Sequence, residues 1–405
     1  MKPLLWKGCS MGEPNNPFNP GAGRRPPLLT GRDRLIASMH LDMGRVVSKR
    51  EEGRPCVIWG LRGIGKTVLL NELAEHARNS GWIVILTEAT ERESLSQRIA
   101  QATYLELRQI RTRSKRITDT LSRAVKVLRS FQLTIDPSGS YSIGIDVEPA
   151  RGYADTGNLS LDLQDMLRAL GDAAHASGTA VFLGIDELQE AGQEELDALN
   201  VALHTLGQGN EQTPLFFCGT GLPTLPSILA KATSYAERMY RYHQLNLLSN
   251  EDVRLALQEP CERLGVSWDE GAIQRVTAVS AGYPYFVQSC GYFAWEQRTS
   301  STLISDEDAM IATRLAQDEV DSGLYRSRWD RATNAQRRFM EAMSLDEGSS
   351  LMDDLARRLG RKPSSLTSVR KRLVDAGLIY APRTGQLDFT VPGMGHYIQR
   401  VSNGR

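Results

Sequence analysis

Short apolar runs alternate with helix-period segments along the first two thirds of the chain. Cys56-Val57-Ile58-Trp59, residues 82–86, 181–185 and 215–218 each read as a buried strand, and residues 243–247 as a candidate fifth. Between them, apolar positions recur every three or four residues over 32–47 and 67–78, the latter stopped by Asn79-Ser80-Gly81. Uninterrupted apolar strands separated by helices predict a parallel sheet covered on both faces, so the fold class is α/β.

The pattern changes downstream. Residues 94–130 read as helical. Residues 131–135 and 141–147 alternate across Asp136-Pro137-Ser138-Gly139-Ser140, which predicts a hairpin. Residues 249–321 are helical throughout. From 331 the pattern is three helices, then strands at 378–380 and 387–390 around Arg383-Thr384-Gly385-Gln386. Residues 11–31 are rich in Pro, Gly and Asn and form no core of their own. The expected division is an extended arm at 1–31, an α/β domain at 32–248 with an insertion at about 90–175, a helical domain at 249–325 and a terminal module at 331–405. A chain of 405 residues accommodates this, at about 150 residues per domain.

Charge adds detail that the total hides. Forty-eight basic residues balance forty-eight acidic ones, which excludes a globally basic nucleic-acid coat but not a locally basic face. Residues 98–129 hold nine Lys or Arg against two acids, and 155–197 hold ten acids against one Arg. The 98–129 stretch is either a second nucleic-acid surface or a solvated helix face. The five cysteines are dispersed without a C-x-x-C or zinc spacing, so they read as buried thiols of a reducing compartment. No apolar stretch has the length of a signal peptide or of a membrane span, about 18 residues. The expected address is the cytoplasm, with no membrane partner.

Gly60-Leu61-Arg62-Gly63-Ile64-Gly65-Lys66-Thr67 fits G-x-x-x-x-G-K-[ST]. Glycines let the backbone curl so that successive N–H groups point at phosphate oxygens. The helix that begins at Lys66, with Val68 in its first turn, adds its partial positive N-terminus. Lys66 suits the β- and γ-phosphates, and the Thr67 hydroxyl suits Mg²⁺. Val181–Ile185 runs into Asp186-Glu187, which puts a carboxylate at the end of a buried strand, where a Mg²⁺-binding Asp belongs. Asp186 takes that role through water, and Glu187 is placed to polarise an attacking water. The expected cofactors are ATP and Mg²⁺.

These residues resemble the AAA+ ATPases, most closely the branch around the archaeal and eukaryotic origin-recognition initiators. Bacterial ATP-binding proteins of the same layout and the STAND signalling NTPases are near relatives. The resemblance covers about residues 15–405. It implies a P-loop NTPase sheet, a helical lid and a C-terminal winged helix. In that family the segment before the first helix touches adenine. Pro26-Pro27-Leu28-Leu29-Thr30-Gly31-Arg32 is similar to its P-x-x-x-x-G-R start, which makes Leu29 and Arg32 nucleotide candidates. Read alone, the segment is equally a linker.

The fourth strand of such folds ends in a polar residue near the γ-phosphate, which the resemblance assigns to Thr220, where the family often has Asn. Thr220 alternatively caps the turn into Gly221-Leu222-Pro223. Arg238 and Arg241 precede the fifth strand. In AAA+ assemblies an arginine there reaches a neighbour's γ-phosphate, which gives Arg238 a catalytic role in a homo-oligomer. Each is otherwise a solvated or ion-paired residue. Gly282-Tyr283-Pro284 resembles the G-x-P of STAND proteins, with Pro284 near the nucleotide; read alone, it is equally a Gly-x-Pro helix start. Tyr285 stands where initiators often carry Arg, which favours a slow switch over a vigorous hydrolase.

Residues 331–405 carry thirteen Lys or Arg against seven acids. The third helix of this module, 364–376, turns Leu366, Val369, Leu373 and Val374 inward. Ser365, Ser368, Lys371 and Arg372 lie on its outer face, with Thr367 and Arg370 nearby. Such a helix fits a DNA major groove, and Arg383 on the wing can reach the adjacent backbone. The same module can instead contact protein. Two expectations follow. One is Mg²⁺-dependent ATP hydrolysis coupled to duplex DNA binding or assembly. The other is a STAND-like nucleotide switch acting on a protein partner with little turnover and no direct DNA contact.

Overall fold

A computed structural model describes residues 16–49, 53–113, 119–135, 147–208 and 213–403. They fall into two compact units. One comprises Arg34–Gly60 and Lys66–Leu245; the other comprises the segment up to Asp33, Leu61–Gly65 and Asn246–Arg405.

The first unit is built on β1 (Cys56–Gly60), β2 (Ile83–Glu88), β3 (Val181–Asp186), β4 (Leu215–Gly221) and β5 (Arg241–Leu245). All pair in parallel, in the order β2-β3-β4-β1-β5. Every residue of β3 and β4 is buried, which is why these strands read as continuous apolar runs. The helices are α1 (Asp33–Lys49), α2 (Lys66–Asn79), α3 (Leu95–Arg113), α4 (Asp119–Ile135), α5 (Leu159–Ala176), α6 (Gln193–Leu206), α7 (Leu225–Ala232) and α8 (Ala236–Met239).

Helix α2 buries Leu69, Leu70, Leu73, Ala74 and Ala77 and packs across β1 to β4. Each such leucine contributes about 1.5–3 kcal/mol. Gly184 in β3 permits the close fit, because a Cβ there would press on Leu86, Phe182 and Leu70. This packing fixes the start of α2, and with it Lys66 and Thr67, over the ends of the strands.

The hairpin expected at 131–147 is corrected in its first half: 131–135 is the last turn of α4. The apolar stripe Ala124, Leu128, Phe131 keeps helical spacing into that turn, and Phe131 is fully buried in the core shared with α5. Its turn and the residues 141–146 lie outside the described residues, as do Lys115 and Arg116 of the basic stretch.

The second unit begins its helices with α9 (Asn250–Glu262), α10 (Glu270–Ser280), α11 (Pro284–Gln297) and α12 (Asp306–Val320), with a two-stranded ribbon of β6 (Ser267–Trp268) and β7 (Leu303–Ile304). A π-turn at Asp321–Tyr325 leads to α13 (Arg326–Arg331) and α14 (Asn334–Met343). There follow β8 (Ser350–Leu351), α15 (Met352–Arg358), α16 (Pro363–Asp375), β9 (Ile379–Tyr380), β10 (Gln386–Phe389) and α17 (Met394–Asn403).

Reciprocal capping boxes start three of these helices, at Ser249/Asp252, Ser305/Asp308 and Thr333/Gln336. The antiparallel sheet β8-β10-β9 and the three helices α14–α16 make a winged helix. One hydrophobic core runs through the helical lid and the winged helix. Tyr325 Oη donates to Pro392 O (2.6 Å), and Arg400 pairs with Asp321 (2.7 Å). Cys56, Cys218, Cys261 and Cys290 are buried free thiols. No helix among the described residues is long and apolar enough to cross a membrane.

Candidate nucleotide site

The glycine-rich segment links the end of β1 to the start of α2 as the spacing predicts. Gly63 (φ +71°) and Gly65 (φ +97°) occupy the left-handed region that side-chain-bearing residues avoid. Lys66 is buried, and its Nζ donates to Gly60 O (3.2 Å) at the end of β1. Leu61–Gly65 groups with the second unit. There the Arg62 N–H donates to Thr390 O (2.9 Å), and Gly63 sits so close to Tyr283 that a Cβ would meet its hydroxyl. Ile64 is buried, and Val68 lies in the first turn of α2.

Parallel pairing brings the ends of β2, β3 and β4 side by side. Asp186 ends β3, buried. The Thr67 hydroxyl donates to its Oδ2 (2.6 Å), while Oδ1 accepts a short bond from the Thr220 hydroxyl and another from the Glu187 N–H (2.9 Å). Three charge-assisted bonds therefore hold this carboxylate in one orientation. Thr220 is fully buried in β4, and its hydroxyl bonds Asp186.

Glu187 follows at φ +47°, ψ +41°, a left-handed conformation that costs a non-glycine residue about 1–3 kcal/mol. Gln189 Nε2 donates to Glu187 Oε2 (2.6 Å). Glu88 ends β2 in register with Asp186. Desolvation raises its pKa, and Asp186, Glu187 and Glu190 push the same way, against Arg98. Reading the sequence alone misses both Gln189 and Glu88. Glu88 had a signal, since it ends the neighbouring strand; Gln189 had none, because its place depends on the left-handed turn.

The remaining expected site residues lie elsewhere. Arg238 is in α8, before β5 begins. The register Cys56↔Arg241 and Gly60↔Leu245 puts it at the edge where strands start, opposite the edge where Gly60 and Asp186 stand. Five residues of strand separate those edges by about 16 Å. Arg238 lines a cleft there with His204, Tyr235 and Arg54, whose guanidinium bonds the Arg238 carbonyl (2.9 Å). Arg241 is ion-paired with Asp42.

In the second unit, Arg32 Nη2 donates to Asn246 O (2.6 Å); burial lowers its pKa, against the opposing effect of Asp252. Leu29 is half-buried. Pro284 is the first residue of α11, where its fixed φ suits a helix start.

Residues 28–217 match the family model of the AAA ATPase domain. The chain carries an AAA ATPase domain. The matched span holds the glycine-rich loop, Asp186 and Glu187, and such a domain implies a nucleotide ligand. Residues 322–398 match a second model, described as a domain of unknown function. No curated protein matches the chain.

Among solved structures, the Aeropyrum pernix ORC2 protein in its ADPNP–ADP complexes is 14% identical with a TM-score of 0.58, over 95% of this chain and 97% of that one. A Walker-type ATPase of Pyrococcus abyssi is 14% identical with a TM-score of 0.59, over 92% of this chain and 96% of that one. At these identities the likeness shows the fold: an AAA+ parallel sheet followed by a helical lid and winged helix.

The winged helix after the AAA ATPase domain presents the expected outer face. Ser365, Ser368, Lys371, Arg372 and the wing residue Arg383 are exposed, Arg370 is half-buried, and Leu366 and Leu373 face the core. Ser365 Oγ donates to Lys362 O (2.8 Å), so its hydroxyl stays at the helix start.

Proposed function

We propose that this protein is a Mg²⁺-dependent ATPase whose nucleotide state is coupled to duplex DNA binding through the winged helix. The observation that carries the ATPase reading is the Asp186 carboxylate held between Thr67 and Thr220 beside the buried Lys66. The residues fit a hard divalent cation, since a hydroxyl and a carboxylate oxygen lie 2.6 Å apart. Among the described residues no three His, Cys, Asp or Glu are grouped to hold a metal by themselves, so nucleotide phosphates and water complete the set. When bound there, Mg²⁺ neutralises phosphate charge.

Lys66 and the loop N–H groups hold the β- and γ-phosphates. Glu187 accepts a proton from water as the water oxygen bonds to the γ-phosphorus; the β–γ bridge bond breaks and ADP leaves with its electron pair. Arg238 lies too far from this chain's own site, so its catalytic role is toward the nucleotide of a second copy. Leu29, Arg32 and Pro284 enter this reading only through the family resemblance.

The DNA reading rests on the basic excess of the exposed face, where Lys371 and Arg372 outnumber the exposed Asp375. Arg361, Lys362, Lys371, Arg372 and Arg383 are exposed, without an acidic partner among the described residues. Phosphate contacts from such a face weaken steeply with salt. A gel-shift titration with duplex DNA from 50 to about 200 mM salt tests this; absence of binding at the low end removes the DNA arm.

A second reading, a slow nucleotide switch acting on a protein, draws on Tyr285 following Pro284. That half-buried tyrosine supplies no guanidinium to the γ-phosphate. Tight ATP binding with negligible turnover, with or without DNA, favours it.

A further inference from the structure

We infer that Gln189 is a positioning residue that sets the orientation of the Glu187 carboxylate and ties it to the turn after β4. The inference rests on Glu187 as the group that takes the proton from water.

The side-chain amide of Gln189 is used at both ends. Its Nε2 donates to Glu187 Oε2 (2.6 Å) and to Glu190 Oε1 (3.0 Å), and its Oε1 accepts from the Leu222 N–H (3.0 Å). Leu222 stands two residues beyond Thr220, whose hydroxyl holds Asp186. One amide thus connects the carboxylate on the left-handed turn to the strand end that fixes the neighbouring Asp186.

The backbone makes room for it. A Cβ at Gly221 would meet Gln189 Oε1, so glycine there keeps the amide in reach of Leu222. The bond to Oε2 also fixes which oxygen of Glu187 the amide engages. The donor to both Glu187 and Glu190 must be neutral or positive, because two carboxylates face it.

Two substitutions separate this role from a structural one. Gln189→Met removes donor and acceptor at similar size. Gln189→Glu keeps an acceptor for the Leu222 N–H but sets a third carboxylate against Glu187 and Glu190. Steady-state ATP turnover, binding of a fluorescent ATP analogue and melting temperature are measured for both and for the wild type.

Orientation of Glu187 predicts that both variants bind the analogue within about twofold of the wild type and lose kcat about tenfold or more. Gln189→Met adds no further loss to Glu187→Gln in single-turnover assays. Wild-type turnover in Gln189→Glu assigns the residue to the Leu222 turn alone and overturns the inference. A rise in kcat in Gln189→Met overturns it too, as does a loss matched by weaker binding. Absence of turnover in the wild type defeats the ATPase reading instead, a separate outcome.

Discussion

The Thr67 hydroxyl, at the first turn of α2, donates to Asp186 Oδ2 at the end of β3 across 2.6 Å. The two residues are 119 apart in sequence. The sheet order places β3 and β1 on either side of β4, and α2 spans all three. A hydroxyl and a carboxylate thus meet at the start of α2, which is what the proposed chemistry requires.

Thr220→Val tests the other side of that carboxylate. The substitution nearly preserves shape but leaves Asp186 Oδ1 without its buried hydroxyl donor. We expect a loss of about 1.5–3 kcal/mol in stability, the range for a bond to a charged group. A larger fractional loss should appear in kcat than in nucleotide affinity. Urea unfolding and turnover on one preparation measure both; unchanged stability means that the bond contributes little.

Lys66→Ala should weaken nucleotide binding at least about a hundredfold, since it deletes the buried cation that the proposal assigns to the phosphates. The stabilisation of the wild type by saturating ATP should vanish in the variant. A variant that ATP still stabilises fully places the nucleotide elsewhere.

Much of this site was legible because it is local. The glycine spacing, the apolar run into Asp186-Glu187 and the strand ending at Thr220 each lie within a few residues. The sheet was legible for the same reason: β3 and β4 are buried throughout, and their polar residues Asp186 and Thr220 come only at their ends. What failed depends on tertiary context. Phe131-Gln132-Leu133-Thr134-Ile135 alternates like a strand, yet α4 carries Phe131 into the core. Helix α17, in which Met394, Tyr397, Ile398 and Val401 keep helical spacing, is a further element beyond the three expected helices and follows the winged-helix strands directly. Gln189 was invisible, since its reach to Leu222 exists only after the sheet forms.

The seam between α1 and α2 predicts a pH dependence. His40 and His76 stack with ring centroids 3.7 Å apart and planes 12° apart. Burial, and secondarily the neighbouring His76, lowers the pKa of His40 below 6.5. The folded state therefore favours the neutral ring. This contribution is fully present above pH 6.5, the unfolded value, and is lost as pH falls through the depressed folded value. The melting temperature should drop between pH 7.5 and about 5.5, and His40→Phe should flatten that limb. Equal slopes in variant and wild type assign the loss to other groups.

On the winged helix, Lys371→Ala with Arg372→Ala should reduce duplex DNA affinity at low salt. It should lower the slope of log K against log salt by roughly two, about 0.9 per phosphate contact removed. ATP binding should be unchanged, because neither residue belongs to the nucleotide site. An unaltered slope moves the DNA contact to another face.

The most direct test of the central claim is phosphate release from ATP with Mg²⁺, with and without duplex DNA, by the wild type and by Glu187→Gln. The account predicts measurable wild-type turnover that rises with DNA. It predicts that Glu187→Gln binds ATP as tightly but releases little phosphate. Equal phosphate release by both proteins would contradict the assignment of Glu187 and with it the proposed hydrolytic site.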